Sequence, residues 1–310
     1  MIVVLRTLAT AAVVTLAVSG CAKPSREQSS KDARLSEMVA VEGPAPQGRF
    51  YVKAGENSLD ADLFEFGFGP RRQDRITTKA RVSTVDGCAD KVVVSAAQKE
   101  VGLTDHLQEL KGSQLAPVDQ LGPRPGSDPH LSADCRMLYL RVAEGAAGDL
   151  VNEIVLVEPG SGTSTTVTTG GTVSTASWGP GGQIVILRRE ATGPVLTVHQ
   201  PDGSRTDIDP KQPDVGNVQW GRGGWMAMGI AEPRHAPTGT LFLNPSNGER
   251  SQLDGWLPLA WSPDGRQLLV AEATKGTTLA VVELPDLTKT RNVGVSEVGT
   301  VWDAAWLPPA

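Results

Sequence analysis

The side chains that usually do chemistry are scarce here. The chain has four histidines and three cysteines in 310 residues. None of His106, His130, His199 and His235 has a His or Cys neighbour at metal-ligand spacing. His199 falls on an alternating strand pattern and His235 in a Pro-rich insertion, 231–239, so both read first as ordinary strand and loop residues. There is no Gly-x-Ser-x-Gly elbow to expose a nucleophile. Gly160-Ser161-Gly162 and Gly170-Gly171 lack the phosphate-loop lysine and a following helix, so they read as hairpin turns. No acidic run has the spacing of a calcium loop. Asp60, Asp62 and Glu65 lie among apolar positions and read as the wet face of a strand. The expectation is a protein without catalytic residues, metal or cofactor.

A repeat sets the elements that position everything else. Trp178, Trp220, Trp261 and Trp306 are spaced by 42, 41 and 45 residues, each at the end of an apolar strand pattern. The first three are followed by turns: Gly179-Pro180-Gly181-Gly182, Gly221-Arg222-Gly223-Gly224 and Ser262-Pro263-Asp264-Gly265. A period in the low forties with short strands and turn residues indicates a β-propeller with one four-stranded antiparallel blade per repeat. Inner-strand ends (Thr84, Ser132 and the four tryptophans), second-strand starts and Pro/Gly hairpins each count to six. The folded region opens at Gly48–Val52 on a second-strand pattern and closes at Val301–Trp306 on an inner-strand pattern. The predicted fold is therefore a six-bladed propeller closed by pairing of N- and C-terminal strands, which removes a sheet edge. The tryptophans read as packing between blades.

Trp261-Ser262-Pro263-Asp264-Gly265-Arg266-Gln267-Leu268 resembles the repeat of the TolB-type, WD-like propeller proteins, with Ser-Pro-Asp-Gly-x-x-Leu/Ile as its signature. Ser132-Ala133-Asp134-Cys135-Arg136-Met137-Leu138 resembles a worn copy. The resemblance covers about residues 48–308 and implies a six-bladed ring in the bacterial envelope. TolB itself carries an additional N-terminal α/β domain. This sequence has a leader and a polar stretch in its place, which weakens the implication of a role in the Tol complex. Lipoproteins with such propellers are familiar from actinobacteria, and the Ala-, Gly-, Val- and Arg-rich composition suits that origin.

Residues 1–20 read as a signal peptide, with Arg6 before an apolar run too short to favour a membrane span. Its end, Val18-Ser19-Gly20-Cys21, resembles a bacterial lipobox, which implies lipidation of Cys21. Residues 21–47 are polar and end in Pro44-Ala45-Pro46, a flexible tether, with a short helix near 33–41 as the alternative. Residues 48–310 form the propeller domain. The net charge of −6 without a basic run argues against nucleic acid as a partner. In an exported protein the remaining pair, Cys88 and Cys135, favours a disulfide between adjacent blades; two buried free thiols are the alternative. Each cysteine is expected in the turn after an inner strand.

In a propeller, loops entering the inner strands share a face with those joining second and third strands, where ligands usually bind. That face would hold 188–190, 209–216, 231–239 and 296–300, and with them Arg189 and His235. Trp302 and Asp303 begin the last inner strand; Ser174, Gly216 and Leu257 stand where the other Trp-ending strands would have Trp302, which singles it out as a candidate contact, with a larger plug in the channel as the other reading. The reading is a monomeric, lipid-anchored, extracytoplasmic binding protein that presents its ring to an envelope protein. The alternatives are a sugar or small molecule in the central funnel, and a metal-dependent propeller lactonase or lyase.

Overall fold

In the computed structural model the described residues are 45–58, 60–67, 72–97, 105–119, 125–170, 172–231, 238–284 and 289–309, with short strands at 33–35 and 39–40. Cys21 and His235 lie outside them. Alternating apolar runs such as Arg49-Phe50-Tyr51-Val52-Lys53-Ala54 form strands because one face, here Phe50, Val52 and Ala54, can be buried against a neighbouring sheet. Six antiparallel sheets result. Blade one pairs Thr300–Leu307 with Arg49–Gly55, then Asp62–Gly67 and Arg72–Arg75. Blade two runs Val82–Cys88, Lys91–Ala97, Asp105–Lys111, Gln114–Pro117. Blade three runs Ser127–Leu131, Met137–Glu144, Leu150–Val157, Ser164–Gly170. Blade four runs Val173–Trp178, Ile184–Glu190, Gly193–His199, Arg205–Ile208. Blade five runs Val215–Trp220, Met226–Ile230, Gly239–Leu243, Arg250–Asp254. Blade six runs Trp256–Trp261, Gln267–Glu272, Thr278–Glu283, Lys289–Val295. The C-terminal strand completes the blade that the N-terminal strands begin, with Trp306 opposite Phe50.

Five residues of the stretch read as a free tether are paired. Ala33–Leu35 runs parallel to Arg250–Gln252 on the outer edge of blade five, and Val39–Ala40 runs parallel to Lys289–Thr290 on that of blade six. Outer blade edges offer unpaired N–H and C=O groups, and an extended segment nearby satisfies them. The helix alternative for this stretch is not adopted.

The Trp-Gly pair has a packing cause. A Cβ built on Gly179 would lie 2.4 Å from the Trp220 ring, and one on Gly221 would lie 2.6 Å from the Trp261 ring. Each glycine is thus the seat of the next blade's tryptophan. Trp178, Trp220 and Trp306 are buried. Trp178 Nε1 donates to the His130 carbonyl at 3.2 Å and Trp261 Nε1 to the Gln219 carbonyl at 3.3 Å, so the indoles also stitch neighbouring blades.

The Ser-x-Asp turn occurs twice, closing one residue sooner in the worn copy. Ser262 Oγ donates to Asp264 at 2.6 Å and accepts from the Gln267 N–H at 2.9 Å. Ser132 Oγ donates to Asp134 at 2.5 Å and accepts from the Arg136 N–H at 2.9 Å. Gly265 stands at φ 69°, and the matching residue of the worn copy, Cys135, takes φ 61° despite its side chain. Cys135 is bonded to Cys88, with Cα atoms 5.6 Å apart, and the bond joins blades two and three.

Two local readings need correction. Asp86-Gly87-Cys88 is strand, not turn: Cys88 pairs with Lys91 and the turn is Ala89-Asp90. Asp62 is buried at 3% exposure rather than wet. Burial alone would raise its pKa, but hydrogen bonds from Arg75, Thr77 and the N–H groups of Ala80 and Lys79 hold it below its usual value.

Candidate functional site

The ring encloses an axial cavity of about 660 Å³. Among the described residues it is lined by the inner strands and by the turns that follow them, joined by Lys53 of blade one's second strand and Ser58 of the loop after it. Among the described residues of 188–190, 209–216, 231–239 and 296–300 none lines it; the cavity is built mainly from the strand-ending side. The cause lies in the inner strands. All six carry a register shift against the second strand, and such bulges turn side chains off the regular alternation and toward the axis. Asp128 and Asn217, both in shifted segments, adopt φ of 52° and 50°.

Four basic and four acidic side chains line the cavity: Lys53, His130, Arg136 and Arg222 against Asp86, Asp128, Asp134 and Asp303. All but Arg222 come from blades one to three and the turn after blade three's inner strand. His130 Nδ1 is 3.8 Å from Asp86 Oδ2, and its Nε2 is 3.3 Å from Asp128 Oδ1 without hydrogen-bond alignment. Burial pushes the His130 pKa down, but Asp128, Asp86 and Asp303 outweigh it and raise it to about 9. Desolvation raises Asp303 to about 7, against the opposing pull of the Val85 N–H and Lys53. Burial lowers Lys53, partly offset by Asp303 and Asp105. Lys53 Nζ donates to the Ser83 carbonyl at 2.6 Å, and Lys53 stands opposite Asp303 across the strand pair.

Several of these groups also join blades. Asp303 of blade one accepts the Val85 N–H of blade two at 2.9 Å, and Asp86 of blade two accepts the Leu131 N–H of blade three at 2.7 Å. Ser177 of blade four does the same for the Trp220 N–H at 3.0 Å. The axial edge of an inner strand leaves N–H groups unpaired, and a neighbouring acceptor completes them. The remaining oxygens of Asp86 and Asp303 take the N–H groups of Gly87 and Ala304.

Of the sequence candidates, Trp302 and Asp303 line the cavity, and Trp302 is 42% exposed. Arg189 does not: it lies at the junction of blades four and five, paired with Asp214 and the Val215 carbonyl. Sequence reasoning missed Lys53, Asp86, Asp128 and His130. No regular alternation marks Asp128 and His130, which lie where the register of their inner strand shifts. Among the described residues no group of three or more His, Cys, Asp or Glu side chains is placed to hold a metal ion.

No protein-family model matches the chain, and no curated protein matches it. Solved structures do match. TolB from Acinetobacter baumannii aligns with a TM-score of 0.67 at 14% identity, over 84% of this chain and 67% of that one. The fold is that of a TolB-like β-propeller. Regucalcin, a calcium-binding protein from Agrobacterium tumefaciens, aligns with a TM-score of 0.51 at 13% identity, over 78% and 88% of the two chains. A gluconolactonase from Xanthomonas campestris aligns with a TM-score of 0.50 at 11% identity, over 74% and 85%. At these identities the likeness is one of fold, and what the ring binds has to be argued from its own residues.

Proposed function

We propose that this chain is an exported, non-catalytic binding protein, lipid-anchored at Cys21, whose central cavity takes a small polar ligand. The observation that carries the reading is the cavity itself. Its volume, about 660 Å³, is in the range of ligand pockets, and it combines convergent polar groups with one accessible indole, Trp302. The Val18–Cys21 motif supports the anchor, and the Cys88–Cys135 bond fits an oxidising compartment. The non-catalytic part rests on Asp86 and Asp303, whose oxygens are engaged by backbone N–H groups rather than free to act on a substrate. A second reading, docking of an envelope protein, is favoured by the long hairpin of blade three, where Leu150 and Val142 are 76% and 59% exposed.

A thermal-shift screen of small polar molecules against the chain and its Trp302→Ala variant tests the first reading. Compounds that stabilise the chain and lose their effect in the variant support it. Stabilisation that is indifferent to Trp302, or no stabilisation by any compound, removes the cavity from consideration and leaves the hairpin. Turnover of a stabilising compound would contradict the non-catalytic assignment.

A further inference from the structure

Resting on the cavity as the binding site, we infer that its ligand is a neutral oligosaccharide, an uncharged polyhydroxylated molecule laid against Trp302.

Charge is the first argument. The eight ionisable side chains lining the cavity divide equally between basic and acidic. Most are engaged by one another: His130 lies between Asp86 and Asp128, and Arg136 is paired with Asp134 at 3.1 Å, while Lys53 donates to the Ser83 carbonyl and Asp303 accepts backbone N–H groups. Arg222 sits at an exposed turn, where solvent screens it. A ligand with net charge would meet no matching excess of opposite charge, and it would lose its own hydration on entry. A neutral ligand avoids that cost.

Shape and polarity supply the second argument. Trp302, Val142 and Leu150 are the large apolar residues well exposed among those described, and Trp302 alone of the three lines the cavity. A sugar ring has one face of C–H groups that suits an indole, and hydroxyls around its edge that both donate and accept. The wall provides partners of both kinds. Asn217 is exposed on the bulge of blade five and offers an amide. Gln219 lines the wall, with its Nε2 donating to the Leu259 carbonyl at 2.9 Å. Ser83 and Ser177 add hydroxyls. A purely apolar ligand would leave these groups unpaired, which is costly in an enclosed site.

The arrangement differs from a calcium or phosphate site, where one sign of charge dominates, and from an apolar pocket, where fixed charges would be absent. The pairing of the charges gives them a scaffolding role: they hold blades one to three in register and leave neutral hydrogen-bonding groups and the indole to face the ligand.

The test is an array of neutral oligosaccharides alongside uronic-acid oligosaccharides of matched length, probed with the full chain and with Trp302→Ala. Circular dichroism and thermal melting confirm that both are folded. The expected result is binding to one or more neutral members, retained at high salt and about tenfold weaker in Trp302→Ala, as loss of one aromatic stacking contact would give. Binding confined to uronic-acid members, binding abolished by salt, or neutral binding unaffected by Trp302→Ala would each overturn the inference. No binding to any member would overturn it too. Failure of the underlying reading is distinguished by the thermal-shift screen above. A Trp302-dependent hit outside the oligosaccharides keeps the cavity as the site and discards the sugar; no Trp302-dependent hit discards both.

Discussion

Blades four, five and six end their inner strands in Trp178, Trp220 and Trp261, while blades two and three end theirs in Cys88 and Leu131. The first group supplies the cavity with indoles, glycines, Asn217, Gln219 and one charge, Arg222. Blades two and three supply Asp86, Asp128, His130, Asp134 and Arg136, and blade one, which has Trp306, adds Lys53 and Asp303. One side of the ring is thus held by repeated packing and the other by individual polar links and a disulfide. The difference shows where a repeat protein is free to vary. A blade that gives up its Trp must close its gap in another way, and the groups that do so bring charge to the axis.

The comparison predicts unequal costs. Trp220→Ala should have the largest effect, about 3–5 kcal/mol, because it empties an interblade seat with no polar substitute; urea unfolding of the folded variant measures it. Opening the disulfide in the Cys88→Ser/Cys135→Ser pair should cost about 2–4 kcal/mol, since it frees a loop with a sequence separation of 47. A cost near zero would mean that Asp86 and its bond to Leu131 already hold blades two and three together. Gly179→Ala should cost about 1–3 kcal/mol by forcing the Trp220 ring off its seat. An unchanged midpoint in denaturant would break the explanation of the Trp-Gly repeat.

The smallest effect is the pH dependence of the polar side. His130 and Asp303 both hold protons more tightly in the folded chain than in the unfolded one, so stability falls as pH rises. For Asp303 the loss runs from 3.8 to about 7, and for His130 from 6.5 to about 9. Asp128 and Asp62 are shifted downward, and their contributions are lost only under acid conditions. Melting temperatures should decline between pH 6.5 and 9, and His130→Asn should flatten that decline. An equal slope in the variant would assign the effect elsewhere.

The same contrast explains what could be read in the sequence. The Trp-Gly and Ser-Pro-Asp-Gly turns were legible because their constraints are local and recur with the blade. The number of blades and the closure by strand exchange follow from that period. Trp302 stood out because a large aromatic occupies a position that is small or aliphatic in the other Trp-ending strands. The charged cluster was hidden for two physical reasons. Each blade contributes a different residue, so no period marks it. The inner-strand bulges also break the two-residue alternation that would have shown which side chains face the axis. Asp86 was further obscured because Asp86-Gly87 reads as a turn, whereas the strand continues through Cys88. Arg189 lies at a blade junction rather than at the cavity, where it meets Asp214 and the Val215 carbonyl.

Blades one to three bring a charged cluster to the cavity, with His130 held between Asp86 and Asp128. Titrating the His130 imidazole by NMR in labelled protein, with His130→Asn to assign its signal, tests this most directly. The expected midpoint lies near pH 9 and drops toward 6.5 in Asp128→Asn. A midpoint at or below 6.5 in the unaltered chain would show that the carboxylates do not surround His130 and would contradict it.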